Sequence, residues 1–148
     1  MKLYTPLINK ALDLAYNAHH GQVDKSCVPY IYHPVFVASQ MDTEEEIIAA
    51  LLHDVLEVTA ITLEELKGFG FSQNALDAVV LLTHIRGQDY MEYIQNLAGN
   101  AIAIKVKLAD LRHNMNPGRI ANEPSENRDR RMQKYREAIE LLEQLRYK

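Results

Sequence analysis

At 148 residues, with 47% apolar side chains and a formal net charge of −4, the chain is long enough for one core and lacks the basic excess of a nonspecific nucleic-acid binder. Its one cysteine, Cys27, excludes an internal disulfide framework and suits a reducing compartment. No apolar run is long enough to span a membrane and the N-terminus carries no signal-peptide pattern, so a cytoplasmic, soluble domain is expected.

Helix-start signals recur along the chain. Thr5-Pro6 reads as an N-cap with proline at the first helical position, and Leu7 through Ala18 keep helical spacing after it. Thr43 and Glu46 form the pattern of a capping box, and the helix it starts is expected to run from Ile47 to about Glu57. Thr62 and Glu65 repeat the device in a short helix stopped by Gly68 and Gly70. Ser72 is expected to cap a helix through Leu82, and Asp89 one that ends near Gly99. The stretch 101–110 alternates Ile102, Ile104, Val106 and Leu108 like a strand, but no second strand exists to satisfy its backbone, so it is read as helix. Residues 116–125, with Pro117, Gly118 and Pro124, read as a loop, and a last helix is expected over about 126–146. The expected class is all-α, a single domain over 1–148.

His53-Asp54 is the most informative pair. It ends the apolar run from Ile47 to Leu52, and ionisable groups in such a place pair with one another or bind a cation, because an unpaired buried charge costs several kcal/mol, roughly. On a continuous helix Asp54 lies about 100° and Glu57 about 40° around from His53. One imidazole and one carboxylate are half of a divalent-metal site that suits Mn, Fe, Zn or Co, and His33 and Asp110 are plausible partners. Glu57 is placed to act as a base for a water beside the ion rather than as a ligand.

Plainer readings compete. His53-Asp54 alone fits a buried hydrogen-bonded couple, His33 a helix-end residue, Asp110 a partner of Arg112 or a lysine, and Glu57 a solvated acid. His19 and His20 are read as ending the first helix, where their charge suits its dipole. His84 and His113 stay open, and Tyr90, Met91 and Tyr93 are read as packing residues.

Three segments, in this order, resemble one family. They are 18–22 with Lys25-Ser26 and Pro29-Tyr30-Ile31-Tyr32-His33-Pro34; 48–57, ending His53-Asp54-Val55-Leu56-Glu57; and Lys107-Leu108-Ala109-Asp110 followed by His113-Asn114-Met115. The pattern is similar to the HD-domain superfamily, specifically the hydrolase domain of RelA/SpoT-type proteins and their small single-domain relatives, over about residues 10–140. The resemblance implies an all-helical HD fold holding one divalent ion, usually Mn²⁺, on His33, His53, Asp54 and Asp110. It implies a guanosine-3′,5′-bis(diphosphate) 3′-pyrophosphohydrolase, releasing pyrophosphate from (p)ppGpp by attack of a metal-activated water that Glu57 orients or deprotonates. Lys25, Ser26, Arg112, Asn114 and Tyr135 are the implied substrate contacts, Arg112 with its place exchanged with the leucine that usually precedes the histidine. No length remains for a synthetase domain, so alarmone synthesis is not expected.

Three positions depart from the pattern. Val58 stands where an acid usually follows Glu57, Asp24 where an arginine usually stacks on guanine, and Cys27 where a turn glycine is usual. They motivate two alternatives: a phosphohydrolase for another nucleotide or phosphate ester, and a catalytically silent metal- or nucleotide-binding sensor.

Overall fold

The computed structural model describes residues 4–120 and 124–147. Their helices are α1 (Pro6–Ala18), α2 (Tyr32–Ser39), α3 (Glu44–Leu52), α4 (Val55–Val58), α5 (Leu63–Lys67), α6 (Gln73–Leu82), α7 (Tyr90–Gln95), α8 (Ala101–Asn114), α9 (Pro117–Ile120) and α10 (Ser125–Arg146). Among the described residues there is no strand, only one bridge between Val23 and Pro29, and no helix is long and apolar enough to cross a membrane. The all-α expectation holds, including helix rather than strand for 101–110.

The starts follow the local chemistry. Thr5 Oγ1 accepts from Ile8 N at 3.1 Å with Pro6 at the first helical position, and Thr43 and Glu46 close a full capping box. Ser72, Asp89 and Asn100 each accept a backbone N–H from the third residue on. At Thr62 the box is half formed: Thr62 Oγ1 caps Glu65 N, but the Glu65 carboxylate accepts from the threonine hydroxyl instead of returning to the backbone.

α3 carries the core. Its residues Ile47 through Leu52 are all buried, and it packs against α1, α2, α6 and α8, while α10 closes over α7 and α8. A helix contacted on all sides has no solvent face to keep polar, which is why its sequence is apolar all round.

Three boundaries differ from expectation. The helix expected from Ile47 to Glu57 breaks at His53-Asp54, with Asp54 at φ −104°, ψ −3°, and restarts as the single turn α4. His53 Nδ1 donates to the Ala50 carbonyl at 2.6 Å, the carbonyl that a continuing helix would offer to the Asp54 N–H. Within 116–125, expected to be loop throughout, residues 117–120 form the turn α9, and 121–123 lie outside the described residues. α7 stops at Gln95 and reaches Gly99 (φ +85°) by turns.

Candidate metal centre

The break in the helix sets up the site. Because His53 Nδ1–H is fixed on the Ala50 carbonyl, Nε2 is left to face Asp54 and Asp110. It lies 3.1 Å from Asp54 Oδ2 and 3.5 Å from Asp110 Oδ1, buried and without the alignment of a hydrogen bond to either. His33, near the start of α2, brings its Nε2 to 2.8 Å from Asp110 Oδ1 and 3.9 Å from Asp54 Oδ2. All four side chains expected at the ion therefore meet. His33, His53 and Asp110 are 1–3% exposed, so water does not compensate them.

The donor set fits a divalent ion. Two imidazole nitrogens and two carboxylate oxygens suit a borderline first-row metal, and ligands of one ion with bonds of about 2.1 Å stand roughly 3–3.5 Å apart at tetrahedral or octahedral angles. The observed separations of 2.8–3.9 Å bracket that spacing. His33, His53 and Asp54 present ligand atoms all within 4.8 Å of one another. The orphaned Nε2 of His53, pointed at two carboxylates, is the polar atom that a cation would satisfy.

Surrounding residues hold the carboxylates charged. Burial opposes ionisation of Asp110, but Lys107, with Nζ 2.8 Å from Oδ2, and then His33 and His53 outweigh it and hold the carboxyl well below its ordinary range. Asp54 is shifted the same way: burial opposes, and the nearby His53 charge wins. His53 is correspondingly raised above its usual value by Asp54 and Asp110, against its burial. The Tyr30 hydroxyl donates a short hydrogen bond to Asp54 Oδ2, and burial together with Asp54 raises its pKa, so Tyr30 stays a donor. Asn114 Nδ2 donates to Asp110 Oδ1 at 3.1 Å.

The rear of His33 is as fully built. His113, left open by the sequence, stacks on His33 with planes 5° apart and on Phe36 at 4.1 Å between centroids. Burial, then the His33 and Arg119 charges, push its pKa down to about 4, so it is neutral near pH 7. Arg119 Nη1 lies 2.7 Å from His33 Nδ1, 3.0 Å from His113 Nδ1 and 2.8 Å from Asn114 Oδ1, while its Nε faces Asp24 Oδ2 at 3.6 Å.

One cavity borders Asp54 and Asp110, and a second adjoins the first. The first, of about 330 Å³, is bordered by Asp54, Glu57, Asp110 and Lys107 from the core side and by Tyr90, Tyr93, Lys134 and Tyr135 from α7 and α10. Glu57 lines it, with Oε1 accepting from His84 N at 2.8 Å. The second, of about 360 Å³, shares Tyr30, Asn114 and Tyr135 with the first and adds Lys25, Arg119 and Arg131. Lys25, Asn114 and Tyr135 are thus brought together on this second cavity.

Ser26 and Arg112 do not. Ser26 Oγ donates to Gly118 O at 2.9 Å and ties the opening loop to α9. Arg112 Nη2 pairs with Glu143 Oε1 at 2.6 Å on the far face of α8, because Leu111 takes the buried position after Asp110 and turns Arg112 about 100° away. His19 also departs from expectation. It ends α1, but it is 2% exposed, its ring lies against Tyr30, and burial lowers its pKa, so it carries no charge for the helix dipole. Tyr90, read as packing, lines the first cavity, and its buried hydroxyl has no hydrogen-bond partner among the described residues.

Lys107 had a readable signal, since its i, i+3 spacing to Asp110 puts the two on one helical face. Arg119 had none, because it reaches the site only through the course of the loop before α10. The departures from the family pattern also acquire physical roles. Asp24 Oδ1 accepts from Ser26 N (2.8 Å) and Val28 N (3.0 Å), organising the loop, and Cys27 holds φ +62° in it, the conformation that favours glycine there. Val58 is 42% exposed and contributes its carbonyl, not its side chain, to a contact with Gln22 Nε2.

A helical domain with two histidines and two carboxylates converging across a broken helix defines an HD-type metal-centre fold. A solved structure described as a metazoan ortholog of SpoT that hydrolyzes ppGpp superposes with a TM-score of 0.82 at 24% identity, covering 94% of this chain and 86% of that one. In sequence, the chain is 38% identical over 122 residues to a guanosine-3′,5′-bis(diphosphate) 3′-pyrophosphohydrolase of Spiroplasma citri and 39% identical over 116 residues to one of Haemophilus influenzae. It is 33% identical to a probable GTP pyrophosphokinase of Mycobacterium leprae across 96% of its own length. The first two alignments cover 73% and 69% of this chain, and the chain spans only 16–19% of the length of these three relatives. No family model matches it. The chain belongs to the HD-domain superfamily, and within it to the RelA/SpoT-type hydrolase domains.

Proposed function

We propose that the chain, as a single domain over 1–148, is a metal-dependent phosphohydrolase that releases pyrophosphate from (p)ppGpp. The observation that carries the reading is the orphaned His53 Nε2, aimed with His33 Nε2 at two buried carboxylates on the edge of a cavity lined by Glu57, Lys107 and Lys134. His33, His53, Asp54 and Asp110 would hold one divalent ion, Mn²⁺ by family likeness. Such an ion supplies Lewis acidity, lowering the pKa of water and neutralising phosphate charge.

The chain's own residues supply the rest. Glu57, with Oε1 engaged by the His84 N–H, has its second oxygen for a water proton. In the overall step the bond from the ribose 3′ oxygen to its phosphorus breaks, the 3′ oxygen ends with a proton, and the water oxygen stays on the departing pyrophosphate. Lys107 and Tyr30 keep Asp110 and Asp54 ionised and oriented. Lys25, Asn114 and Tyr135 line the adjoining wall for the nucleotide.

Purified chain loaded with Mn²⁺ is expected to release pyrophosphate from ppGpp. His53→Ala should abolish release, and Glu57→Gln should lower kcat by about 10²–10⁴-fold with little change in KM. A metal-replete preparation that leaves ppGpp intact sinks the substrate assignment. Asp24, whose carboxylate is committed to the loop and to Arg119, favours a second reading, a phosphohydrolase for another nucleotide or phosphate ester. A screen of phosphorylated metabolites that includes ppGpp separates the two.

A further inference from the structure

The cavity beside Asp54 and Asp110 holds two donors that no described residue accepts from. Three of the four tyrosines on its walls differ in what their hydroxyls do. Tyr30 donates to Asp54, and Tyr93 donates to Leu82 O at 2.5 Å. The Tyr90 hydroxyl is buried and has no hydrogen-bond partner among the described residues. A buried O–H without an acceptor is a rare and costly arrangement, and it calls for a ligand to complete it.

Lys134 stands over the same ring. Its Nζ lies 4.5 Å from the Tyr90 centroid and 5.7 Å from that of Tyr135, exposed at the cavity mouth. Among the described residues it makes no hydrogen bond or ion pair. The neighbouring cation Lys107 is already engaged by Asp110, and it and Arg131 raise the positive potential that Lys134 meets. An ammonium with three donors and a phenolic O–H with one, both unmatched among the described residues, therefore line a cavity whose other edge carries Asp54 and Asp110.

We infer that the Tyr90 hydroxyl and the Lys134 ammonium form a subsite for an inorganic diphosphate group, the part of the substrate that leaves. This rests on the reading of the chain as a pyrophosphate-releasing hydrolase and adds the residues that receive the product. A diphosphate has two phosphoryl groups and can meet the ion with one and this donor pair with the other. Orthophosphate has only one. Charge-assisted bonds from lysine are the stronger of the two contacts, while the tyrosine fixes position.

The test is direct binding, independent of turnover. Inorganic pyrophosphate, and orthophosphate in parallel, are titrated calorimetrically into the 148-residue chain carrying one equivalent of Mn²⁺, with metal content checked for each variant. Wild type should prefer pyrophosphate, Tyr90→Phe and Lys134→Gln should each weaken it by about tenfold or more, and orthophosphate binding should change less. Lys67→Gln, a remote exposed lysine paired with Glu64, should leave both affinities unchanged. Unchanged pyrophosphate binding in both site variants, or an equal loss in Lys67→Gln, overturns the subsite. If ppGpp is hydrolysed but neither site variant weakens pyrophosphate, the subsite falls and the hydrolase reading stands. If ppGpp is untouched while both site variants lose pyrophosphate, the substrate assignment falls and the subsite stands.

Discussion

Removing the His53 imidazole separates the stability of the apo site from the stability an ion adds. His53 is 1% exposed and faces two carboxylates that burial disfavours. In His53→Ala, Asp54 loses its nearest positive partner and the Ala50 carbonyl loses its donor. Breaking a buried pair in this way costs about 3–5 kcal/mol. At roughly 2–4 °C per kcal/mol for a domain of this size, the metal-free variant should melt about 6–20 °C below metal-free wild type. An ion at a hundred times its Kd adds about 2.7 kcal/mol, or roughly 5–11 °C, to wild type. The variant at the same ion concentration should gain almost nothing. The assay is thermal unfolding of chelator-treated protein with and without Mn²⁺, Fe²⁺, Co²⁺ or Zn²⁺. A wild type that none of these ions shifts, or a variant shifted as far as wild type, refutes the four-ligand centre.

Three further outcomes follow from other parts of the structure. Cys27→Gly should raise the melting temperature by about 1–4 °C, because relief of a left-handed backbone worth roughly 1–2 kcal/mol outweighs the added freedom of the unfolded glycine; a lower melting temperature would sink the strain argument. Val58→Asp should change kcat/KM on ppGpp by less than about threefold, since a side chain 42% exposed one helical step from Glu57 points out of the cavity, and a gain of tenfold or more would contradict that placement. Burial opposes the Glu46 charge, yet Lys105 and the Asp42 and Thr43 N–H groups hold its pKa below the ordinary value. Its stabilisation is therefore present above the unfolded glutamate pKa, near 4.3, and is lost as pH falls through the lower folded value. Melting temperatures taken from pH 7 to pH 3 should fall less steeply below pH 4.5 in Glu46→Gln, and parallel acid limbs would refute the contribution.

The helices were legible because their starts are local chemistry. A threonine, serine or aspartate three residues before the N–H it accepts is visible in the sequence, and all but the reciprocal half of the Thr62 box formed. The convergence of His33, His53, Asp54 and Asp110 was legible for a different reason: a buried histidine and carboxylate demand partners, and few other His or Asp residues interrupt apolar stretches. The break at His53 was not. It depends on a side chain taking a backbone carbonyl, a competition that periodicity cannot register. Arg112 was misplaced because an exchange of neighbours on a helix looks conservative in sequence yet moves a side chain to another face. Arg119 and Lys134 lie far in sequence from His33 and from the Asp54–Asp110 cavity, and only tertiary structure brings them there.

The departures at residues 24, 27 and 58 share one property: each is absorbed by structure outside the four ligands. Asp24 would leave a negative charge on the nucleotide wall, but its Oδ1 is occupied by two backbone N–H groups and its Oδ2 faces Arg119. The cation missing at position 24 is thus replaced, in charge though not in place, by one arriving from α9 beside Asn114. A guanidinium held by Asp24, His33 and Asn114 lies edge-bound in a hydrogen-bond network and is not free to lie flat on a base. If this wall receives a nucleotide, it would keep an attraction for phosphate while losing the stacking that favours one purine, a term worth about 0.5–2 kcal/mol. Discrimination between bases should suffer before hydrolysis does. Comparing guanosine and adenosine 3′,5′-bis(diphosphates) at equal metal loading reads this directly, with a kcat/KM ratio within about 30-fold expected and a ratio above a thousand excluding it.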